Sequence, residues 1–562
     1  MAILTRGGFA RPSTSLDFKT GDWRLQKPVH SHRTAPCHAA CPAGEDAQAY
    51  IAHVAEGDLK AAWETLVSAN PLPAITGRIC HHPCEAACNR SQFDEPIAIH
   101  GIERFLGDEA IRNGWRYPLP DPPTSTQKVA VVGAGPAGIA AAYHLVRCSY
   151  DVTLFEAEPQ AGGLLRSAIA PYRLPRSVLD AEIERVLALG IRFLAGQRFA
   201  RDFTLDELQG NFAAVFLAIG AQRGRPWSTD GTAPADSRAG LEILKEWMSL
   251  GNLPSYSRVA IIGGGNTAID LARILKFSGV REVHVITFQA MPLARGHAEN
   301  PMSATPREIA QAIEEGVIIH HHRGVRRLIV RGEQVVGIEM VQMKELARDG
   351  GRHEVVAFEG TETVLHVDHV VPAIGQEVEP AGLEAILAGQ TFLQPDPWGA
   401  IANRPGVFAG GDVRGGGGTV SRAIGDGRRA AQAIDAYLKG VSSPAESLSP
   451  PIAFQQLNLN YFERAPRAQV PILAPKQRTS EAEIEASLIH AQLTDESHRC
   501  FSCGECLACD NCWTLCPDNA VLKTTEAARD GSHYVFDYDY CKGCGLCAHE
   551  CPPGFIVMRD EV

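Results

Sequence analysis

Two runs of cysteines have a spacing that is typical of iron–sulfur sites. Each run places four cysteines as C-x2-C-x2-C-x3-C and ends on a proline, at Pro517 and Pro552. Three closely spaced thiolates can bind one cubane, and the fourth cysteine of each run ligates the cluster of the other run. We therefore expect two [4Fe–4S] clusters, bound by Cys506, Cys509, Cys512, Cys516, Cys541, Cys544, Cys547 and Cys551.

The other cysteines among the 16 in the chain are mostly clustered as well. Because no signal peptide precedes them, cysteine groups at ligand spacing predict metal sites in a reducing compartment. Cys500 and Cys503 allow three interpretations: part of another metal site, replacement of Cys506 as a ligand, or two unused thiols. Cys148 stands alone in an apolar stretch, which predicts a small core residue. A second group consists of Cys37, Cys41, Cys80, Cys84 and Cys88.

A glycine-rich loop follows an apolar strand at residues 129–132 and precedes a helical pattern. In G-x-G-x-x-G, the first glycine permits a tight turn, the second lets the backbone approach a pyrophosphate, and the third permits helix–strand packing. Glu156 ends the next predicted strand, where a ribose hydroxyl needs an acceptor. We expect a dinucleotide to bind at Gly133, Ala134, Gly135, Pro136, Ala137, Gly138 and Glu156.

A second strand–loop–helix pattern of the same kind starts at residue 259. Alanine replaces its third glycine, which is an accepted variant. The alternative is a structural turn that binds no ligand. The predicted contacts are Gly263, Gly265, Asn266, Thr267 and Ala268.

Two loops in one chain predict two different dinucleotides. Far downstream of both loops, residues 407–412 read as a strand that ends in Gly-Gly-Asp. Such a strand can return to the first fold and offer Asp412 to a ribityl or ribose hydroxyl. The second Rossmann-like unit is then an insertion within the first, and the site lies between them.

The composition excludes some classes of function. Apolar residues make up 45% of the chain, no run of 18 apolar residues predicts a membrane span, and no secretion signal follows Met1. The formal net charge of −12 argues against nucleic acid and anionic membranes as main partners. We expect a cytoplasmic protein.

Several short motifs resemble those of one flavoprotein family. Besides both glycine loops, they occupy residues 35–42, 77–80, 84–89, 162–165, 172–175, 373–376 and 410–412. From about residue 34 to residue 438 the chain resembles the small (beta) subunit of NADPH-dependent glutamate synthase and its wider family. Dihydropyrimidine dehydrogenase has a similar N-terminal half. The C-terminal module resembles versions of this subunit with a fused ferredoxin.

The resemblance implies FAD at the first glycine loop and NAD(P)H at the second. Together with the strand that ends at residue 412, it places the remaining cofactor contacts at Gly163, Leu164, Arg173, Gly220, Gly375, Gly411, Asp412, Thr419 and Val420.

The resemblance also implies a multidomain fold. We expect an α-helical iron–sulfur domain, two nested Rossmann-like α/β domains and an α+β ferredoxin-like domain. The predicted boundaries are a loosely ordered tail at 1–30, the helical domain at 31–117, a discontinuous FAD domain at 127–222 and 370–440, an NAD(P) domain at 223–369, a linker with one helix (residues 481–492) at 441–495, and the ferredoxin-like domain at 496–562.

The N-terminal cysteines depart from the family pattern, which has ligands for two clusters. The resemblance assigns Cys41, Cys80 and Cys84 to one cluster, with Glu103 at a non-cysteine ligand position. Cys37 and Cys88 would belong to a second cluster that lacks two ligands. We therefore expect one N-terminal [4Fe–4S] cluster, with Cys88 as an alternative fourth ligand.

The nicotinamide site departs from the family as well. The family usually carries two basic residues after the second nucleotide strand, where they bind the 2′-phosphate of NADP. This chain has Phe288 and Gln289 there, and Arg295 matches a further basic position. The choice between NAD and NADP stays open.

These residues predict an NAD(P)H-dependent iron–sulfur flavoprotein oxidoreductase. FAD can accept a hydride and pass single electrons to [4Fe–4S] clusters, in either direction. The final acceptor should bind a partner subunit or a ferredoxin, and we favour a 2-oxoacid:acceptor oxidoreductase. One alternative is the small subunit of a glutamate synthase. Another is a non-enzymatic electron-relay subunit with a silent nucleotide site. No acid–base catalytic residue is predicted, because hydride transfer needs none.

Overall fold

The chain forms two compact units in a computed structural model. The structure describes residues 4–5, 19–119, 126–229, 238–292, 300–348, 352–415, 418–443, 449–526 and 532–561. Unit 1 comprises Met1–Pro118, Ala445–Gln469 and Ser487–Val562, and unit 2 comprises Leu119–Pro444 and Val470–Ala486. The helical iron–sulfur segment and the ferredoxin-like segment, predicted as separate domains, therefore lie in one unit.

The N-terminal part of unit 1 is mainly helical. Two of its helices begin at aspartates, because the Asp46 carboxylate accepts the Ala49 N–H (3.1 Å) and the Asp58 carboxylate accepts the Ala61 N–H (2.9 Å). The elements are β1 (Leu4–Thr5), a 3₁₀ helix (Gly21–Trp23), β2 (Gln26–His30), α1 (Pro36–Ala40), α2 (Ala47–Ala55), α3 (Leu59–Val67), α4 (Pro73–Ile79), α5 (Pro83–Ala86), a 3₁₀ helix (Asn89–Gln92) and α6 (Ile99–Arg112).

The first α/β fold of unit 2 is built on buried apolar strands. Its parallel sheet has the order β17-β6-β3-β4-β5, and β17 is contributed from far downstream. The elements before the insertion are β3 (Lys128–Val132), α7 (Pro136–Arg147), β4 (Asp151–Phe155), α8 (Leu164–Ser167), α9 (Arg176–Leu187), β5 (Arg192–Leu194), α10 (Leu205–Asn211), β6 (Ala214–Leu217) and β7 (Arg223–Gly224). Cys148, which follows α7, is exposed, so the prediction of a core cysteine is wrong.

The second α/β fold is inserted into the first, as the sequence predicts. Its parallel sheet has the order β10-β9-β8-β15, and an antiparallel sheet of β11 to β14 is attached. The elements are α11 (Gly240–Leu250), β8 (Arg258–Ile262), α12 (Asn266–Phe277), β9 (Glu282–Ile286), α13 (Pro306–Glu314), β10 (Ile318–His320), β11 (Arg323–Arg331), β12 (Gln334–Arg348), β13 (Arg352–Ala357), β14 (Thr363–Leu365) and β15 (His369–Pro372).

The chain returns to the first fold through β16 (Gln376–Glu377), which pairs with β7. The boundary predicted at residue 370 is too early, because β15 pairs with β8 as an edge strand of the second sheet. The remaining elements of the first fold are α14 (Glu384–Leu387), β17 (Val407–Ala409), a 3₁₀ helix (Gly411–Arg414) and α15 (Val420–Lys439).

The C-terminal part of unit 1 pairs with its N-terminal part. Strand β20 runs antiparallel to β2, so residues 19–30 are not the loose tail that the sequence suggested. The elements are 3₁₀ helices at Phe454–Gln456 and Leu459–Tyr461, then α16 (His490–His498), α17 (Asn511–Thr514), β18 (Val521–Thr524), β19 (Tyr534–Phe536), α18 (Leu546–His549) and β20 (Ile556–Asp560).

The helix predicted at residues 481–492 is largely wrong. A 3₁₀ helix in unit 2 covers Pro475–Gln477, and the next helix is α16, which starts at His490. Glu485 instead forms an antiparallel bridge with Ile472, and the Ile484 N–H donates to the carbonyl of Tyr172 (3.1 Å). These tertiary contacts hold an extended backbone where the local pattern favoured a helix.

The predicted fold class is confirmed by these elements. Among the described residues, no helix combines the length and apolar character needed to cross a bilayer.

Candidate functional site

The first glycine loop has two tightly packed glycines and one open glycine. A Cβ on Gly133 (φ +101°) would lie 2.4 Å from the carbonyl oxygen of Ala218, and one on Gly138 would lie 1.8 Å from that of Gly133. A Cβ on Gly135 would meet nothing nearer than the Cα of Gly163, at 4.0 Å. Gly135 also caps the N-terminus of α7, whose Pro136 and Ala137 begin the helix. The loop therefore leaves open the space that a pyrophosphate needs at a helix N-terminus.

The walls of this loop come from residues predicted as cofactor contacts. The Gly162 N–H donates to the carbonyl of Ala134 (2.8 Å), and a Cβ on Gly163 would lie 2.9 Å from the Cα of Gly135. Leu164 starts α8 directly after this contact. Glu156 is buried, and its carboxylate accepts the Ala134 N–H (2.7 Å). The structure thus brings the predicted FAD residues of this region together.

The segment that follows β17 returns to the first fold and lies beside the same glycine loop. Gly411 (φ +73°) would place a Cβ 2.9 Å from that of Ala137, which puts the Gly-Gly-Asp turn beside α7. Burial and the neighbouring Asp426 raise the pKa of Asp412. Thr419 caps α15, which begins at Val420, by accepting the Arg422 N–H (3.4 Å).

The turn is held by a buried aspartate that was not predicted from the sequence. The buried carboxylate of Asp426 accepts the Gly411 N–H (3.0 Å) and the guanidinium groups of Arg414 and Arg429. Its position in α15, nearly two turns after the start of the helix, was the available signal. Gly220 (φ +70°) and Gly375 (φ +113°) take left-handed backbone conformations in the connections between the two folds.

The second glycine loop repeats this geometry. A Cβ on Gly263 (φ +135°) would lie 2.2 Å from the carbonyl oxygen of Ala373, whereas one on Gly265 would meet the Ser303 hydroxyl at 3.5 Å, an ordinary contact. The Asn266 amide oxygen accepts the Thr305 N–H (3.1 Å). The Thr267 hydroxyl accepts from the Gln376 amide (3.1 Å), and Ala268 is fully buried.

Phe288 and Gln289 follow β9 at the edge of this second loop. The Gln289 amide oxygen lies 2.4 Å from where a Cβ of Gly264 would stand, so this neutral side chain covers the loop. The His322 N–H donates to the carbonyl of Gln289 (3.3 Å), and the Arg323 N–H donates to that of Thr287 (2.9 Å). A basic segment therefore adjoins the position where a 2′-phosphate would bind. Arg295 lies outside the described residues.

Arg173 makes ion pairs rather than an open cofactor contact. Its guanidinium binds both carboxylate oxygens of Asp270 (2.7 and 2.9 Å) and lies 3.3 Å from Glu308. These three side chains are almost fully buried. Burial opposes the charge of Arg173, but the two carboxylates outweigh burial and raise its pKa. Arg173 therefore joins the first nucleotide fold to the second.

The eight cysteines of the two C-terminal runs form two sets. Burial raises the pKa of Cys512, and nearby Cys509, Cys551 and Cys506 raise it further, so Cys551 of the second run neighbours the first run. Burial and the neighbouring Cys516, Cys541 and Cys544 likewise raise the pKa of Cys547 to about 12. The fourth cysteines are therefore exchanged between the runs, as the spacing predicts.

The chemistry of these sets fits a cubane rather than a single ion. One cavity is lined by all four cysteines of the second set, Cys516, Cys541, Cys544 and Cys547. Across the described residues, no three cysteine sulfurs lie within 4.8 Å of one another. Tetrahedral zinc with Zn–S bonds of about 2.3 Å would place its ligand sulfurs roughly 3.8 Å apart. Four cysteines around one cavity, with the C-x2-C-x2-C-x3-C spacing of the sequence, therefore fit a [4Fe–4S] cluster.

The N-terminal residues assigned to one cluster also come together. Burial raises the pKa of Cys41 well above its usual value, and neighbouring Glu45, Glu103 and Cys80 raise it further. Cys84 has Cys41 and Cys80 as neighbours. Glu103 is 4% exposed and accepts hydrogen bonds from Asn70 (3.1 Å) and from Thr76. Cys37 and Cys88 lie apart from this set, beside Cys500 and Cys503.

Three sequence families match the chain. The family described as pyridine nucleotide-disulphide oxidoreductase matches residues 127–427. The family described as dihydropyrimidine dehydrogenase domain II, 4Fe-4S cluster, matches residues 30–115, and a 4Fe-4S binding domain matches residues 534–557.

Similar curated proteins are subunits of redox complexes by name. The NADP(+)-dependent formate dehydrogenase subunit beta of Moorella thermoacetica is 39% identical over 443 residues, which are 73% of this chain and 61% of that protein. The NADPH-Fe(3+) oxidoreductase subunit beta of Geobacter sulfurreducens is 31% identical over 85% of this chain and 77% of its own length. The NAD-dependent dihydropyrimidine dehydrogenase subunit PreT of Escherichia coli O157:H7 is 30% identical over 73% of this chain and 92% of its own length.

A solved structure supports the fold of the nucleotide-binding part. The Mycobacterium tuberculosis oxidoreductase FprA, in a structure showing a covalent modification of NADP+, has a TM-score of 0.50 and 18% identity, and the match covers 56% of this chain and 85% of FprA. The chain spans about three fifths of the length of the Moorella protein. The chain belongs to the pyridine nucleotide-disulphide oxidoreductase family, as an iron–sulfur flavoprotein oxidoreductase that uses FAD, NAD(P)H and [4Fe–4S] clusters.

Proposed function

We propose that this chain is the electron-transferring subunit of a redox complex and moves electrons between NAD(P)H and [4Fe–4S] clusters. The observation that carries the proposal is the presence, in one chain, of two open glycine loops and several sets of neighbouring cysteines. Bound FAD supplies the step between two-electron hydride transfer and one-electron transfer. The chain therefore has binding sites for cofactors of both hydride transfer and one-electron transfer.

The residues of unit 2 bind and orient the dinucleotides. The N-termini of α7 and α12 offer backbone N–H groups and partial positive charge to two pyrophosphates. Glu156 and Asp412 should accept hydrogen bonds from hydroxyl groups of FAD. The ion pairs of Arg173 with Asp270 and Glu308 fix the two folds against each other. No described side chain is needed as an acid or base.

Either nicotinamide nucleotide should be accepted. Phe288 and Gln289 provide no positive charge for a 2′-phosphate, although the backbone of Arg323 lies beside them. The names of the relatives include both NADP(+)-dependent and NAD-dependent proteins.

The partner is a further redox subunit or a ferredoxin. Three relatives carry the word subunit in their names, which supports a complex. The ferredoxin-like module supports a 2-oxoacid:acceptor oxidoreductase as the partner class, and the 39% identical relative supports a formate-oxidising partner. Partners retained during anaerobic purification should be tested with each substrate for reduction of the clusters in this chain.

Anaerobic stopped-flow measurement tests the core of the proposal. Mixing the holoprotein with NADH or NADPH should bleach the flavin absorbance first and then the broader iron–sulfur absorbance. Flavin that stays oxidised with both nucleotides would leave only an electron-relay role. A Gly265→Val variant is the matched control, because a side chain there should block the nicotinamide nucleotide while FAD and the clusters stay bound.

A further inference from the structure

The segment that precedes the first C-terminal cysteine run is fixed against the N-terminal helices of unit 1. The Asn89 amide donates to the Sγ of Cys503 (3.6 Å), and the Arg90 guanidinium donates to the carbonyl of Arg499. On another side, the Gln48 amide donates to the Ser502 hydroxyl (2.6 Å) in a buried contact. The segment 499–503 is thus held by buried contacts to residues more than 400 positions earlier in the chain.

Further contacts fix the position of this segment. The Arg33 N–H donates to the carbonyl of Gly504 (3.5 Å), which places the segment beside the residues that lead into α1 and Cys37. The Arg499 guanidinium binds the carboxylates of Asp94 (3.2 Å) and Glu496 (2.5 Å). These ion pairs are almost fully buried, so the segment is an integral part of unit 1.

Four thiols are mutual neighbours as a result. Burial raises the pKa of Cys37 well above its usual value, and Cys500, Cys88 and Cys503 raise it further through their charge. Burial and then Cys500 raise the pKa of Cys503 to about 12, and Cys88 contributes in the same direction. The geometry agrees, because Asn89, which follows Cys88, donates to the Sγ of Cys503 (3.6 Å), and Arg33, which precedes Cys37 by four residues, donates to the carbonyl of Gly504 (3.5 Å).

Two of the four thiols also accept hydrogen bonds of the kind that cluster ligands receive. The Ser502 N–H donates to the Sγ of Cys500 (3.4 Å), and Asn89 donates to that of Cys503. Donors to cluster sulfur are one of the means by which proteins tune iron–sulfur sites. The Cys500-x2-Cys503 spacing equals the x2 spacing within the ferredoxin-like runs. A [4Fe–4S] cluster, which four cysteine thiolates bind, therefore fits this set.

We propose that Cys37, Cys88, Cys500 and Cys503 bind an additional [4Fe–4S] cluster, whose ligands come from both ends of the chain. Cys500 and Cys503 supply the two ligands that the N-terminal segment lacks. The chain then holds four cubanes: two in the ferredoxin-like segment, one at Cys41, Cys80, Cys84 and Glu103, and this one. This additional cluster does not depend on the proposed function, because its ligands bind metal whatever the substrate is.

Iron and sulfide analysis of the full-length chain tests the proposal. After anaerobic reconstitution, four cubanes require about 16 irons per chain and three require about 12. Cys500→Ser and Cys503→Ser should each lower the iron count by about four, with flavin content unchanged. Cys148→Ser is the matched control, because this exposed cysteine lies in unit 2, and it should leave the count at about 16. A full count in both ligand variants would overturn the proposal.

Native mass spectrometry of the wild-type protein tests the same proposal without relying on a variant that must fold. The mass of the intact wild-type holoprotein gives the number of [4Fe–4S] units directly. Four units support the additional site. Three units, or zinc in place of the fourth cluster, would overturn it even if the serine variants fail to fold.

Discussion

A substitution of Gly135 should weaken FAD binding without preventing the protein from folding. Its backbone angles, φ −77° and ψ −177°, are accessible to any residue, and a Cβ there meets nothing nearer than 4.0 Å. Gly135→Val should therefore fold. As an N-cap, valine is less favourable than glycine, by about 1 kcal/mol or less. Gly138→Ala should fail to fold, because its Cβ would lie 1.8 Å from the Gly133 carbonyl oxygen.

The loss of FAD affinity can be estimated from the hydrogen bonds that the valine displaces. Each N–H bond to a charged pyrophosphate contributes about 1.5–3 kcal/mol. A side chain that holds the pyrophosphate away from two such donors costs about 3–6 kcal/mol. This range corresponds to roughly 10²- to 10⁴-fold weaker binding.

Titration of FAD into the flavin-free protein, followed by flavin fluorescence, measures this loss. Iron content should be unchanged in Gly135→Val, since the cysteine sets lie in unit 1. Gly210→Val is the matched control, because Gly210 also has open space around it but lies in α10. A full flavin complement in purified Gly135→Val would refute the assignment of this loop to FAD.

Three further predictions concern the remaining sites. Arg173→Met should destabilise unit 2 by about 3–5 kcal/mol, because Asp270 and Glu308 would stay buried without their partner; denaturant unfolding that shows a loss below about 1 kcal/mol would contradict this. Glu103→Ala should shift the midpoint potential of one cluster in a redox titration, whereas an unchanged potential would show that the carboxylate is not a ligand. NADH should reduce the flavin at least comparably to NADPH in stopped-flow experiments, and a preference for NADPH above about 100-fold, roughly 2.7 kcal/mol, would indicate a complete 2′-phosphate site.

The sequence was most informative where function depends on local spacing. Both glycine loops, the nesting of the two α/β folds and the exchange of Cys516 and Cys551 between the cysteine runs follow from short motifs. Each motif sets its own local backbone geometry. Its function can therefore be predicted before the distant contacts are known.

The parts that could not be predicted depend on long-range contacts. Arg173 matched a cofactor motif, but its partners Asp270 and Glu308 come from α12 and α13 of the other fold. Cys500 and Cys503 meet Cys37 only because unit 1 combines segments from both ends of the chain. Such pairings produce no periodicity in the sequence, so short motifs do not predict them.

The pairing of β2 with β20 has a consequence for the order in which the protein matures during synthesis. Thr20 donates to the carbonyl of Tyr540, a residue 520 positions later. Strand β2 therefore emerges from the ribosome long before its partner, whereas almost all of unit 2 is made in one uninterrupted stretch. Domains generally fold as units while synthesis proceeds. The flavin-binding unit can thus fold first, and the proposed cluster at Cys37 and Cys88 could be completed only after Cys500 and Cys503 have been synthesised.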